Sequence, residues 1–64
     1  MNEQVKNYAK TKGIKLWEVA YRYGVSDGNF SRKLRRELPE VEKQQLIDII
    51  DELVIEKGGA NEND

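Results

Sequence analysis

The sequence predicts a small all-α domain of four helices, and three observations carry that expectation. Apolar residues recur at the helical spacing i, i+3, i+4, i+7 instead of alternating as in strands. Gly13, Gly24 and Pro39 punctuate the chain at intervals that suit helix ends. The chain is 64 residues long and holds no cysteine. No disulfide or thiolate metal site therefore reinforces a core that, at this size, buries only about 60% of the unfolded surface. Helix packing has to hold the fold together, and dimerisation is the usual supplement.

The first helix is read over 2–12. Asn2 is its cap, Val5, Tyr8 and Ala9 face inward, and Gly13 ends it. Ile14 is expected to pack at the junction. The second helix covers 15–23, with Leu16, Val19, Ala20 and Tyr23 along one face. Gly24 supplies the positive φ that a sharp helix exit requires, Val25 plugs the corner, and Ser26 is placed to cap the next helix. The third helix is read over 27–37. Phe30 and Leu34 lie four apart on its inner side, with Asn29, Ser31, Arg32, Lys33, Arg35 and Arg36 around the rest. Pro39 cannot continue a helix but starts one well, so the fourth is read over 39–57. Glu40 and Glu42 in its first turn complement the helix dipole. Gly58 and Gly59 are expected to stop it, and residues 60–64 to form a disordered acidic tail.

Charge is segregated along the chain. Residues 5–36 carry nine Lys or Arg against Glu18 and Asp27, a balance of +7. Residues 37–64 carry nine Asp or Glu against Lys43 and Lys57, a balance of −7, and Glu3 completes the net −1. A net charge near zero says little about partners when the local field at one face is strongly basic. The acidic half would repel phosphate and is expected to face away from it. No apolar run approaches the roughly 20 residues that a membrane helix needs, and no signal-peptide pattern opens the chain. A cytoplasmic protein without a membrane role is the expectation.

The run Val19-Ala20, then Gly24-Val25-Ser26, then Phe30-Ser31-Arg32 resembles the helix-turn-helix of phage Cro/repressor-like regulators, the XRE-type family. The resemblance covers 14–34 well and the flanking helices loosely. It implies a lambda-repressor-like fold that binds double-stranded DNA, with the third helix laid in the major groove. That family usually has polar residues where Leu16 and Gly28 stand, so side-chain contacts from these two positions do not carry over.

On the third helix, Asn29 suits an adenine edge and Arg32 the O6 and N7 of guanine, while Ser31 suits a base or a phosphate. Gly28 lowers helix propensity by about 1 kcal/mol relative to alanine, which suggests close approach of its backbone to the bases. Lys33, Arg35 and Arg36 suit phosphates, together with Ser26 at the cap and Trp17 at the start of the second helix. The Trp17 indole has two readings, as a phosphate donor or as a cover over the first helix. Asp27 is better placed to support the helix dipole than to read cytosine.

The fourth helix has a wider apolar face than one core contact requires. Leu46, Ile49, Ile50 and Leu53 form one stripe, Ile47 and Val54 extend it, and Ile55 lies nearly opposite. Ile47, Val54 and Ile55 are therefore the candidate face of a homodimer, since paired helix-turn-helix units engage two half-sites. The alternative is that a small domain wraps these residues around its own core.

Enzymatic readings fare poorly. There is no histidine or cysteine, so the commonest general base, the thiol nucleophile and the usual zinc ligands are missing. No Gly-rich phosphate loop appears, and acidic pairs such as Asp48 with Glu52 fall on a solvated helix. Neither a cofactor nor a small-molecule substrate is implied. The leading expectation is a small transcriptional regulator of a bacterial phage or mobile element. Two alternatives stay open, an excision or architectural cofactor for a recombinase and a protein-interaction module built on the same scaffold.

Overall fold

The computed structural model describes residues 1–57, and the expected stop at Gly58-Gly59 and the tail after it lie outside the described residues. The described residues form four helices: α1 (Glu3–Thr11), α2 (Leu16–Tyr23), α3 (Asp27–Lys33) and α4 (Glu40–Glu56). It is all-α, as the apolar spacing predicts.

Two of the helix ends are set by glycine. Gly13 has φ 75° and Gly24 has φ 96°, the left-handed region that side chains with a Cβ avoid. In each case the residue beyond the glycine donates back five positions, Ile14 N–H to the Ala9 carbonyl at 2.8 Å and Val25 N–H to the Ala20 carbonyl at 3.1 Å. These bonds close the last turn and tuck Ile14 and Val25 toward the core. The cap expected at Ser26 is present, its Oγ accepting from Asn29 N–H at 3.1 Å.

The core is one cluster. Val5 and Ala9 of α1, Ile14 at the junction, Val19 and Ala20 of α2, Phe30 of α3, and Leu34, Leu38, Leu46 and Ile50 are all buried. Tyr8, Leu16, Tyr23, Val25, Ile49, Leu53 and Val54 pack around it half-buried. Tyr23 meets Phe30 edge-on, with ring centroids 6.3 Å apart. The inward face of each helix is therefore the one its spacing predicts, with Leu38 as an addition.

Three expectations are corrected. First, Asn2 does not cap α1 with its side chain. It stands at the cap position with φ 61°, a left-handed conformation that asparagine tolerates, while its side chain leaves α1 altogether. Second, α3 ends at Lys33, four residues short of the expected Glu37. The two departures have one cause. Asn2 Nδ2 donates to the Leu34 carbonyl at 2.9 Å, and Asn2 Oδ1 accepts from Leu38 N–H at 2.9 Å. In a continuing helix that carbonyl and that N–H would bond each other. The side-chain amide is inserted between them, so the chain leaves the helix and Leu38 turns into the core. Third, Pro39 is the cap of α4 and precedes its first helical residue.

Polar contacts tie α4 to the other helices. Tyr8 OH donates to Asp51 at 2.6 Å, and Arg22 pairs with Glu52 at 3.0 Å and with Glu56. Glu18 is 14% exposed, pairs with Lys57 at 3.0 Å and accepts from Lys15 N–H at 3.2 Å. Burial acts to raise the Glu18 pKa, but the Lys57 ammonium and the Lys15 N–H outweigh it and hold the carboxyl below its ordinary value. Ionised Glu18 thus contributes stability that is present above its unfolded pKa and lost as pH falls through the lowered folded one. Glu18→Gln is expected to melt below the parent protein at about pH 7, with the gap narrowing at an acid pH where the carboxyl is protonated. Thermal unfolding of both proteins at the two pH values checks this, and a gap that persists in acid contradicts it.

Candidate nucleic-acid interface

α2 and α3 are joined by the three residues Gly24–Ser26, which makes them a helix-turn-helix pair in the geometric sense. Because Phe30 and Leu34 turn inward, α3 presents Gly28, Asn29, Ser31 and Arg32 to solvent, and all four are exposed. All four residues expected to meet bases therefore share one outward surface.

That surface has two flanks. On one, Val25, Leu38 and Pro39 line a hollow with Asn29, Arg32 and Arg36, and Lys33 and the carboxylates Glu37 and Glu42 border it too. On the other, Ser31 and Arg35 line a hollow with Lys6, Leu16 and Met1. Gly28 lies between the flanks, at the angular position between Ser31 and Arg32 on a helix of 100° per residue. Its backbone is helical, and a Cβ added there meets nothing within 4 Å. The fold itself places no demand for glycine at this position.

The residues expected to hold phosphate divide. Arg35 and Arg36 stand in the turn after α3, both exposed, and not on the helix as expected. Ser26 uses its oxygen as a cap acceptor, which leaves its hydroxyl proton free to donate. Trp17 is 57% exposed in the first turn of α2, outside the side chains packed on the core. Lys33 borders the hollow with Asn29, Arg32 and Arg36, but its charge is engaged. Its ammonium lies 3.0 Å from Glu42 and 6.0 Å from the Tyr23 ring centroid, and Tyr23 OH donates to the same carboxylate at 3.3 Å. The bond to Glu42 raises the Lys33 pKa, so this lysine is a bridge to α4.

Three further cations join the surface without having been singled out in the sequence. Lys6 lines the hollow with Ser31 and Arg35, and also a second one with Lys10 and Lys15 at the junction of α1 and α2. One connected basic surface thus runs from Arg35 through Lys6 to Lys15. The local excess of lysine signals their charge, but only the tertiary fold, which brings Lys6 into one hollow with Ser31 and Arg35, signals their place.

The pairing pattern separates two groups of cations. Arg22, Lys33, Lys43 and Lys57 all pair with carboxylates. Lys6, Lys10, Lys12, Lys15, Arg32, Arg35 and Arg36 have no acidic partner within 4.0 Å among the described residues. The first group holds the fold together, whereas the second is uncompensated charge.

On α4 the three residues of the expected dimer face are dispersed. Val54 packs on the core, Ile47 is half-buried, and Ile55 is 74% exposed. Val41, 69% exposed, shares the outer side of the helix with Ile55, but Asp48 stands between them at the same heptad spacing.

Among the described residues no group of three or more His, Cys, Asp or Glu is placed to hold a metal ion, and no helix is long and apolar enough to cross a membrane. No protein-family model matches the chain, and no curated protein or solved structure matches it.

The open space at Gly28 gives a direct test of whether glycine serves the fold. Gly28→Ala is expected to stabilise the domain by about 0.5–1 kcal/mol through helix propensity. Denaturant unfolding measures it, and destabilisation would mean that the fold needs glycine there after all.

Proposed function

We propose that this domain binds double-stranded DNA through α3 and the turn beyond it, as a small sequence-reading regulator of the helix-turn-helix kind. The observation that carries the reading is the separation of the cations. Those uncompensated by acids lie on α1, at the start of α2 and along the α3 flanks, whereas the paired ones tie the helices to each other or to α4. A surface that serves only folding gains nothing from leaving Arg32, Arg35 and Arg36 unpaired around exposed Asn29 and Ser31. A surface that meets phosphates and base edges requires it.

The division of labour follows from position. Arg32 and Asn29, on the outward face of α3, suit guanine and adenine edges in the major groove, and Gly28 lets the groove come close to the backbone. Arg35, Arg36, Lys6, Lys10 and Lys15 hold phosphates and supply affinity without sequence preference. Glu42 at the start of α4 lines the Arg32 and Arg36 flank together with Glu37, so acidic charge borders the surface there and does not face wholly away as the sequence suggests. A second copy meeting α4 at Ile47 and Ile55 would give the two half-sites of a symmetric operator. One observation favours a protein partner as the second reading: Trp17 and Tyr21, one turn apart on α2, are 57% and 84% exposed.

A titration of the isotope-labelled protein with a mixed-sequence duplex separates the readings. DNA binding gives amide shifts concentrated over 26–36 that fade as salt is raised, and their absence at low salt sinks it. Arg32→Ala is expected to lose about 1–3 kcal/mol on a preferred site while barely changing random duplexes, whereas Arg36→Ala weakens both alike. Equal losses for the two variants on both kinds of site would remove the assigned roles. Sedimentation at tens of micromolar is expected to give a dimer, and a purely monomeric profile removes that component alone.

A further inference from the structure

We infer that Asn2 is a positioning residue for the nucleic-acid surface, fixing Arg35 and Arg36 from the opposite end of the chain. This rests on the DNA reading above and adds a residue remote in sequence from the recognition helix. Asn2 is 1% exposed, the one buried polar residue among the described residues. Its Nδ2 donates to the Leu34 carbonyl at 2.9 Å and to the Arg36 carbonyl at 2.8 Å, and its Oδ1 accepts from Leu38 N–H at 2.9 Å. Its backbone N–H donates to Glu37 Oε1 at 3.0 Å, and Glu37 pairs on to Lys43 at the start of α4.

The placement of these bonds matters more than their number. The two carbonyls bracket Arg35 and Arg36, so one planar amide sets the orientation of the peptide groups on either side of the pair. The helix holds the start of the turn through Leu34 N–H to the Phe30 carbonyl and Arg35 N–H to the Arg32 carbonyl, but the Leu34 and Arg36 carbonyls beyond are met by Asn2. Without Asn2, the Leu34 and Arg36 carbonyls and the Leu38 N–H would lose their partner, and the turn would be free to sample other paths. Arginines on such a turn keep their charge but lose the fixed geometry that lets each engage a phosphate on its own flank of α3.

Asn2→Gly tests the effect with least backbone strain, because glycine accepts the φ of 61° while the amide is removed. The readout is the slope of log affinity against log salt for duplex DNA, at a temperature where the amide spectra of α2 and α4 show both proteins folded. Asn2→Gly is expected to reduce the slope by up to about 1.8, roughly 0.9 for each phosphate no longer neutralised. The ranking of preferred over random duplexes, set by Asn29 and Arg32, should survive, which a general loosening of the domain would not allow. An unchanged slope in a folded Asn2→Gly protein overturns the proposal and leaves the DNA reading standing. Failure of the unmodified protein to bind any duplex overturns the DNA reading, and this role with it. Should Asn2→Gly not fold, backbone relaxation of the unmodified protein decides. Order parameters for the Arg35 and Arg36 amides near about 0.85 support a held turn, and values under about 0.6 overturn it.

Discussion

One side-chain amide connects the parts of this domain that matter most. Asn2 sits where α1 begins, reaches the exit of α3, and through Leu38 and Glu37 reaches the entry to α4. An amide side chain is a peptide group on a short stem, with one acceptor and two donors. Here it takes the place of the backbone partner that helix α3 would otherwise have found in its own next turn. Substituting that partner ends the helix, turns Leu38 inward and exposes Arg35 and Arg36. No buried side-chain polar atom among the described residues lacks a partner, so the arrangement is fully satisfied.

Small size explains why such a tie is needed. A domain this short has few buried side chains with which to fix the path between its helices, and α3 contributes only Phe30 to the core from within its own bounds. Hydrogen bonds and ion pairs at the joints supply what packing does not. Arg22, Glu18 and Tyr8 fasten α4 to α2 and α1, and Lys33 with Glu42 fastens it to the end of α3. Most of these pairs are at the surface and individually worth little, but together they direct acidic α4 inward upon cations that the basic face does not need.

Local features were legible in the sequence and long-range ones were not. Helical spacing identified the inner faces of all four helices, because Val5, Val19, Phe30 and Leu46 announce themselves through neighbours three or four residues away. Gly13, Gly24 and Ser26 did the same for the turns, since each acts on backbone groups within five residues. The end of α3 was missed because Arg35, Arg36 and Glu37 all favour helix, and nothing before Pro39 forbids it. What stops the helix is an asparagine more than thirty positions earlier, which reads as an ordinary cap. The candidate site divides along the same line. Exposure of Asn29, Ser31 and Arg32 followed from the inward position of Phe30, whereas the engagement of Lys33 by Glu42 and the arrival of Lys6 beside Arg35 depend on how helices dock.

The placement of Trp17 has a spectroscopic consequence. It is the only tryptophan in the chain, and at 57% exposure its indole is already largely in water in the folded state. Unfolding therefore changes its surroundings little, and its emission is a weak reporter of stability. The ring follows Lys15 and Leu16 of the hollow between α1 and α2 in sequence, so if the domain binds DNA as proposed its emission is a natural probe of the complex.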